Sequence, residues 1–599
     1  MPPQFNATRR HDGFLPIEAY GVLGDGRTIA LSGGDGSIDW WCVPNMDSAP
    51  LFDRILDPDD GGFFAIEPVG PFAVERRYRA GSNVLETDFQ TADGTARLTE
   101  SLNSGSAGRL PWEELARRIE GMEGSVTFQV RFRPGRQAGK VNPYLTESGQ
   151  QRVFHAGRVL GVFLCSSGLH IDREDDLGLR GHLTVSTGER EVLAIVAGQD
   201  EPLVVPTIAE IDRRIDLSDE EWKHWSSTVR FDGEQRSLLV RHALALKLLL
   251  YSPTGAIAAA GTTSLPALIG GTRNFDYRYA WVRDAGYTIK AFLRIGAEAE
   301  AKAAFTWLLK RLRDSDGDLF YRLDGGNPAE VESIDVPGYR NSRPVVIGNQ
   351  ATHQHQHGVY GDIFETAARF VAGGNILDAE SEAVLSRLAD QCADSWRRKD
   401  AGIWELETPQ HYTMSKVSAW QALARAVELA DAGHLPTTCR DRWARERDRI
   451  AGWVEEHCWS AEKDAFVFYP GSSQLDASLA LAVRFGFDGK ERLKRTLTAI
   501  DRELGEGPFH FRYTDARGAE GCFVACTFWV AEAWHLLGET ERANATMQAA
   551  FAALAGGPGT LAEMVDPETH AWLGNVPQGL SHLAAVHAMI TLSQPGPLP

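Results

Sequence analysis

Four short stretches of the chain combine carboxylates with aromatic rings, and each lies at the start of a helical period or between two of them. The first runs Asn274-Phe275-Asp276-Tyr277-Arg278-Tyr279-Ala280-Trp281-Val282-Arg283-Asp284. The second is Gly402-Ile403-Trp404-Glu405-Leu406-Glu407, followed by His411-Tyr412-Thr413-Met414-Ser415-Lys416. The third is Thr560-Leu561-Ala562-Glu563-Met564-Val565-Asp566-Pro567, running on to Leu573-Gly574-Asn575-Val576-Pro577-Gln578. The fourth joins Arg512-Tyr513-Thr514 to Glu520-Gly521. Rings that alternate with charged groups suit a sugar, whose apolar faces stack on aromatics while its hydroxyls take bidentate bonds. A carboxyl that works as an acid needs a raised pKa, and apolar neighbours supply the desolvation that raises it. Glu405 lies between Trp404 and Leu406, and Glu563 between Ala562 and Met564, whereas Glu407 lacks such flanks. Taken singly, each stretch also fits plain structure: Asp284 as an N-cap beside an ion pair, the glutamates as solvated loop carboxylates.

The elements that must position these residues change along the chain. Up to about residue 225 the signals are those of strands. Val126, Phe128, Val130 and Phe132 alternate with Thr127, Gln129 and Arg131, the period of a half-buried strand. Similar runs occur around Val153–Leu164, Leu183–Val185 and Val192–Ala197, separated by turn residues such as Ser186-Thr187-Gly188. Gly33-Gly34-Asp35-Gly36 reads as a hairpin turn and not a phosphate cradle, because no helical pattern follows it. Many strands at short spacing indicate a large β-sandwich. After about residue 232 the period becomes helical. Leu238, Leu239, Ala243, Leu246 and Leu250 share one face, as do Val417, Trp420, Leu423 and Val427. Such segments begin near residues 236, 283, 298, 350, 378, 415, 438, 473, 489, 521, 540 and 578. Twelve helices in hairpins can close as six pairs, but periodicity does not show closure. A solenoid would look similar, although no fixed repeat is visible.

Composition narrows the classes of function. At 599 residues the chain exceeds a single core, so two large domains are expected. The net charge of −20 argues against nucleic acid or an anionic membrane as a main partner, although a local basic pocket can override the global sign. No apolar run approaches the roughly 20 residues that span a bilayer. The opening Met1-Pro2-Pro3-Gln4-Phe5-Asn6-Ala7-Thr8-Arg9-Arg10 lacks the apolar core of a secretory signal, so a cytoplasmic location is expected. Seven cysteines do not make a disulfide framework in a chain of this length. Cys522 and Cys526, four apart, are expected as buried small residues in a reducing compartment and not as a metal site. No cofactor and no metal is expected. Oligomeric state is open, a homo-oligomer included.

Together the four stretches resemble family 15 of the glycoside hydrolases, the glucoamylase, glucodextranase and bacterial trehalase group. The resemblance covers nearly the whole chain. Ile17-Glu18-Ala19-Tyr20 through Gly36-Ser37-Ile38-Asp39-Trp40, Arg77-Tyr78-Arg79 and Leu85-Glu86-Thr87 look like the opening of the trehalase-like bacterial branch. Thr262-Thr263-Ser264-Leu265-Pro266 and Gly270-Gly271-Thr272-Arg273-Asn274 look like that branch's entry into the barrel. The resemblance implies a multidomain α and β protein, with an N-terminal antiparallel β-sandwich followed by an (α/α)6 barrel. The implied division is 1–225 for the sandwich, 226–255 for a helical linker and first barrel helix, and 256–599 for the barrel. It also implies an inverting, exo-acting hydrolase of a small α-linked glucoside. Glu405 matches the general acid and Glu563 the general base. Tyr277, Trp281, Arg283 and Asp284 match the Tyr-x-x-x-Trp-x-Arg-Asp pattern lining the glycone subsite, beside Trp404. Arg512 matches a further sugar-binding arginine. Inversion places two carboxyls about 6.5–9.5 Å apart to admit a water, against about 5 Å for retention.

The sequence departs from the family at Asn349-Gln350-Ala351-Thr352-His353-Gln354-His355-Gln356-His357-Gly358-Val359-Tyr360-Gly361-Asp362. Relatives show Gln-Leu-Gln-Leu-Asp-Val-Tyr-Gly there, so His355 and His357 replace leucines and Gly358 replaces an Asp. Histidines two apart on a helix do not face one another, which argues against one metal gathering all three. The two remaining expectations are that His355 and His357 reshape a substrate subsite, or that they pack against neighbouring helices. Phe275, often Trp in relatives, and Met564, where a polar residue is common, are smaller departures. Two other classes stay open. An inverting phosphorylase would replace the base with a phosphate site, and a non-catalytic sugar-binding protein would hold one of the glutamates away from the pocket.

Overall fold

The computed structural model describes residues 9–104, 110, 112–149, 151–314, 318–328, 330–487 and 489–594. The first eight residues of the N-terminal stretch and the side chain of His353 lie outside the described residues.

The strand Glu113–Arg133, 21 residues long, organises the N-terminal domain. Its first half pairs antiparallel with Gly94–Leu102 on one side and Arg190–Gln199 on the other. Beyond Gly124, whose φ is 63°, its second half pairs with Gly178–Ser186 and Phe63–Pro68 instead. One strand thus serves two sheets, and their inner faces close on a shared apolar core. Val126, Phe128, Val130 and Phe132, the alternating residues, all lie in that core. The Phe132 ring meets Phe64 at 6.2 Å and Phe163 at 5.4 Å, which ties the two sheets together. Phe132→Ala is expected to cost about 3–5 kcal/mol of unfolding free energy. The measure is a lower denaturant midpoint with the slope unchanged. The Gly33–Gly36 turn joins the antiparallel strands Ile29–Ser32 and Ser37–Cys42 as a hairpin.

The continuous run Val192–Ala197 is buried on both faces. Leu193, Ile195 and Ala197 face the sandwich core, while Val192, Ala194 and Val196 meet a helix, α1 (Ile208–Ser227). Strand signals were expected to about residue 225. The helix hides because its buried stripe is thin, Ile211, Ile215 and Trp222 among mostly charged residues. Its start is marked by a capping box between Thr207 and Glu210.

Twelve further helices follow among the described residues: α2 (Arg236–Leu249), α3 (Val282–Arg294), α4 (Glu298–Asp314), α5 (Gly358–Ala372), α6 (Ala379–Ser395), α7 (Thr413–Asp431), α8 (Arg440–His457), α9 (Ala480–Phe485), α10 (Lys490–Leu504), α11 (Val524–Leu536), α12 (Thr540–Leu554) and α13 (Gly579–Leu592). The odd-numbered helices α3 to α13 each pack on the next, and α13 returns to α3, closing an inner ring. The even-numbered helices lie outside it, α2 on α13 and α4 on α3. This is an (α/α)6 barrel. Inner helices α11 and α13 are buried almost all round, as a doubly packed helix must be. Two segments begin later than their period indicates. Near 350 the chain makes only a 3-10 turn, Gln350–His353, before α5, and near 473 a 3-10 turn, Ala477–Leu479, precedes the six-residue α9.

In such a ring of hairpins every segment entering an inner helix lies at the same end of the barrel. All four stretches singled out by chemistry fall in these segments. The N-terminal domain braces them. Trp40 Nε1 donates to the Gly261 carbonyl (3.0 Å), and Arg278 Nη1 donates to the Ser48 carbonyl (2.7 Å). Trp40, Met46 and Ile55 share one apolar cluster with barrel residues, so the two domains are joined by core and not by a linker alone.

Candidate active site

The segments leading into α3, α7, α11 and α13 converge on a small cavity. Tyr277, Trp281, Arg283, Asp284, Trp404, Glu405, Arg512 and Glu563 all line it. A wider space shares Tyr277, Trp404, Glu405 and Arg512 with it and adds Phe275, Gln354 and Tyr412. The arrangement is a small chamber behind a larger vestibule.

Glu405 sits in a tight turn with φ of 60°, a left-handed conformation that a non-glycine residue adopts at a cost. Its Oε1 accepts from Trp281 Nε1 (2.9 Å) and from Arg283 Nη1 (3.4 Å). The same Arg283 nitrogen donates to the Ile403 carbonyl (2.9 Å), and Gln354 Nε2 donates to the Glu405 carbonyl (3.0 Å). Donors occupy Oε1, so a proton on this carboxyl sits on Oε2. Arg283 also bonds Asp284, whose carboxyl burial pushes up against the pull of that guanidinium.

Trp404 lines both spaces beside Glu405. Its Nε1 donates to Asp476 Oδ1 (2.8 Å), and its ring lies 5.2 Å from the Arg512 guanidinium. Asp476 is buried, and burial pushes its carboxyl up to about 6 against hydrogen bonds from Ser478 and Trp404. Sequence reasoning missed Asp476. Its only local signal is Asp-x-Ser at the head of a short turn, which indicates a cap and nothing more.

Glu563 is 5% exposed. Gly574, at φ 73°, lies so close that a Cβ there would stand 2.5 Å from Glu563 Oε2, which only glycine avoids. The Asn575 amide N–H points at the same oxygen (3.4 Å). Burial pushes this carboxyl up to about 7; the Arg512 guanidinium and the Asn575 amide oppose the rise, and the Glu520 and Glu405 charges add to it. Arg512 is held by a bidentate pair with Glu520, whose other partner is Arg273 at 2.7 Å. These guanidiniums hold the Glu520 carboxyl below the usual range despite burial. The Tyr277 phenol is raised well above its ordinary value by burial and by the Glu563 and Glu405 charges. It therefore stays a neutral hydrogen-bond donor beside both glutamates.

His355 and His357 are not brought to this cavity, and the expectation that they line a subsite is corrected. They lie in the segment before α5, off any helix. His357 is fully buried: its amide donates to Asp400 Oδ2 (2.9 Å) and its ring packs edge-on to His355 at 4.7 Å. Burial and then the Lys416 ammonium keep the His357 ring neutral, pushing it down to about 2. Packing, the other expectation, describes it. Gln354, between them and the turn, is the residue of this stretch that reaches Glu405. Gly358 lines neither space, and a Cβ there would meet only Ser418 Oγ at 3.9 Å. Among the described residues one group has metal-ligand spacing, His170, Asp172 and His182, exposed on the N-terminal domain and outside this cavity.

The geometry agrees with what the chain is similar to. Residues 233–550 match the model for glycosyl hydrolases family 15, and residues 11–222 match the trehalase-like N-terminal model. A trehalase of Thermoplasma volcanium is 31% identical over 595 residues, covering 97% of this chain and 94% of that protein. A trehalase of Mycobacterium tuberculosis is also 31% identical, covering 96% and 89%. Among solved structures, a bacterial glucoamylase complexed with acarbose superposes with a TM-score of 0.71 at 14% identity, covering 99% of this chain and 97% of that one. The similarity runs through both domains, and the chain is a glycoside hydrolase belonging to family 15.

Proposed function

We propose that this protein is an inverting, exo-acting α-glucoside hydrolase whose substrate is trehalose. The observation that carries the reading is the convergence of Glu405 and Glu563, from segments 158 residues apart in sequence, on one small chamber with Tyr277, Arg283 and Arg512. Full-length similarity to proteins named trehalase supports the substrate. A small chamber that shares its wall with a wider space suits a terminal glucose unit with its leaving group outside. Arg283 and Asp284 hold sugar hydroxyls. Glu405 protonates the bridging oxygen through Oε2 while Glu563 takes a proton from a water on the opposite face, and that water attacks the anomeric carbon. Turnover of trehalose well above that of maltose, isomaltose and kojibiose is the expected result. Equal turnover of all four would contradict the substrate assignment.

A base must be ionised to act, and Glu563 is held up to about 7. The kcat/KM profile, which reports the free enzyme, is therefore expected to fall as pH drops through about 7. A profile flat from pH 7 down to 5 would contradict this. The same raised carboxyl favours a second reading in which Glu563 is the acid and Glu405 the base. Leaving-group dependence separates the two, as argued below. Gly358→Asp is expected to leave the substrate profile unchanged, measured as relative kcat/KM on the four disaccharides, because position 358 lines neither space.

All seven cysteines are free, and Cys42, Cys392, Cys458, Cys522 and Cys526 are buried. That supports a reducing, cytoplasmic setting.

A further inference from the structure

In the N-terminal domain the strand His170–Asp175 pairs antiparallel with Gly178–Ser186 and with no other strand among the described residues, so it is a sheet edge. The ladder is regular at His170, which faces His182, and at Arg173, which faces Arg180. Between them lies one extra residue: Ile171 faces Gly181, and Asp172 has no partner across the ladder. Gly181 admits this bulge. A Cβ on it would stand 2.5 Å from the His170 carbonyl oxygen, a close approach of backbones that only glycine leaves room for.

The bulge gathers three side chains that carry donor atoms. His170 and His182 are cross-strand neighbours on one face, with their rings 4.9 Å apart. Asp172 is turned to both: its Oδ1 lies 2.9 Å from His182 Nδ1 and 3.9 Å from His170 Nε2. One ligand atom from each of the three falls within 4.8 Å of the others. Ligand atoms held about 2.0–2.2 Å from a tetrahedral zinc stand roughly 3.3 Å from one another. All three side chains are exposed, so small rotations about their own bonds close the set on one ion. As an ion pair alone, His182 and Asp172 would contribute little at this exposure, and the pair would not account for His170 beside the same carboxylate.

The donor set selects the ion. Two imidazoles and one carboxylate suit zinc and its transition-metal neighbours, whereas magnesium and calcium take oxygen ligands. Exposure leaves the fourth position to water. The next pair along that face is Arg173 and Arg180, and Arg173 is drawn off to Asp175 at 2.8 Å. We propose that His170, Asp172 and His182 bind one divalent transition-metal ion, zinc foremost, which pins the edge strand to its neighbour. None of the three lines the chamber, so this binding is independent of the substrate that occupies it.

The test is calorimetric titration of the whole, chelator-treated protein with zinc chloride, followed by hydrogen–deuterium exchange on the same samples. One saturable equivalent of zinc is expected, lost in His170→Ala and in His182→Ala. Both side chains are exposed, so the variants should fold. With zinc at about ten times its dissociation constant, openings that release the ion should be suppressed about tenfold, which slows exchange in residues 170–182 of the wild type and not of the variants. Excess magnesium should leave the zinc bound. Lack of saturable zinc binding, or undiminished binding in both variants, overturns the site. Protection confined to other segments overturns its location, and displacement by magnesium overturns the choice of ion. Zinc binding with unchanged exchange overturns the pinning.

Discussion

Glu563→Gln is expected to lower kcat on trehalose by about 10²–10⁴, the contribution of a general base, with KM little changed. The amide keeps the size of the side chain and its contacts with Gly574 and Asn575, so the fold should persist. What is lost is the lone pair that takes a proton from the attacking water. Gln also has no acid limb, so the fall in kcat/KM through about pH 7 should disappear with the carboxyl. In Glu563→Ala, a small anionic nucleophile such as azide needs no deprotonation and can enter the vacated space. Recovery of turnover with formation of β-glucosyl azide would place Glu563 on the side of attack. No recovery, with a normal fold, would contradict its role as base.

Glu405→Gln is expected to lower turnover of trehalose by a similar factor, about 10²–10⁴, but to spare substrates whose leaving group needs no proton. Fluoride departs as the anion, so α-glucosyl fluoride should be hydrolysed by Glu405→Gln at close to the wild-type rate. Glu563→Gln should be slow on both. This split carries more weight than either rate alone, because it removes the ambiguity left by the raised Glu563 carboxyl. The opposite split would assign Glu563 as the acid and Glu405 as the base.

Much of this architecture is legible in the sequence, for reasons that particular residues make plain. Period-two alternation at Val126–Phe132 marks a strand because one face is core and the other is not. The run Val192–Ala197 is less informative alone, since it is buried on both faces, by the sandwich and by α1. That helix is hard to read because only three of its twenty residues, Ile211, Ile215 and Trp222, are buried apolar ones. Ring closure is invisible to periodicity, since the contact of α13 with α3 joins segments nearly 300 residues apart. In the site, the residues that line the cavity carry a local pattern of rings and charges, and Tyr277, Trp281, Arg283, Asp284, Trp404, Glu405, Arg512 and Glu563 converge there. Residues that act on other residues carry none. Asp476, which holds Trp404, has only the signature of a cap, and the histidines at 355 and 357 are conspicuous in sequence, yet His357 is buried beside Asp400 with its ring against His355, and neither lines the cavity. Unusual composition marked that segment, but burial decided its role.

The most direct test of the account is proton NMR of the first products of trehalose hydrolysis, read before the anomers equilibrate and repeated with inorganic phosphate present. Inversion at one anomeric carbon gives one equivalent of β-glucose from the attacked ring and one of α-glucose from the leaving ring, with no glucose 1-phosphate in either case. Two equivalents of α-glucose would show retention, and glucose 1-phosphate would show phosphorolysis. Either would contradict a general acid and a general base acting across one water at Glu405 and Glu563.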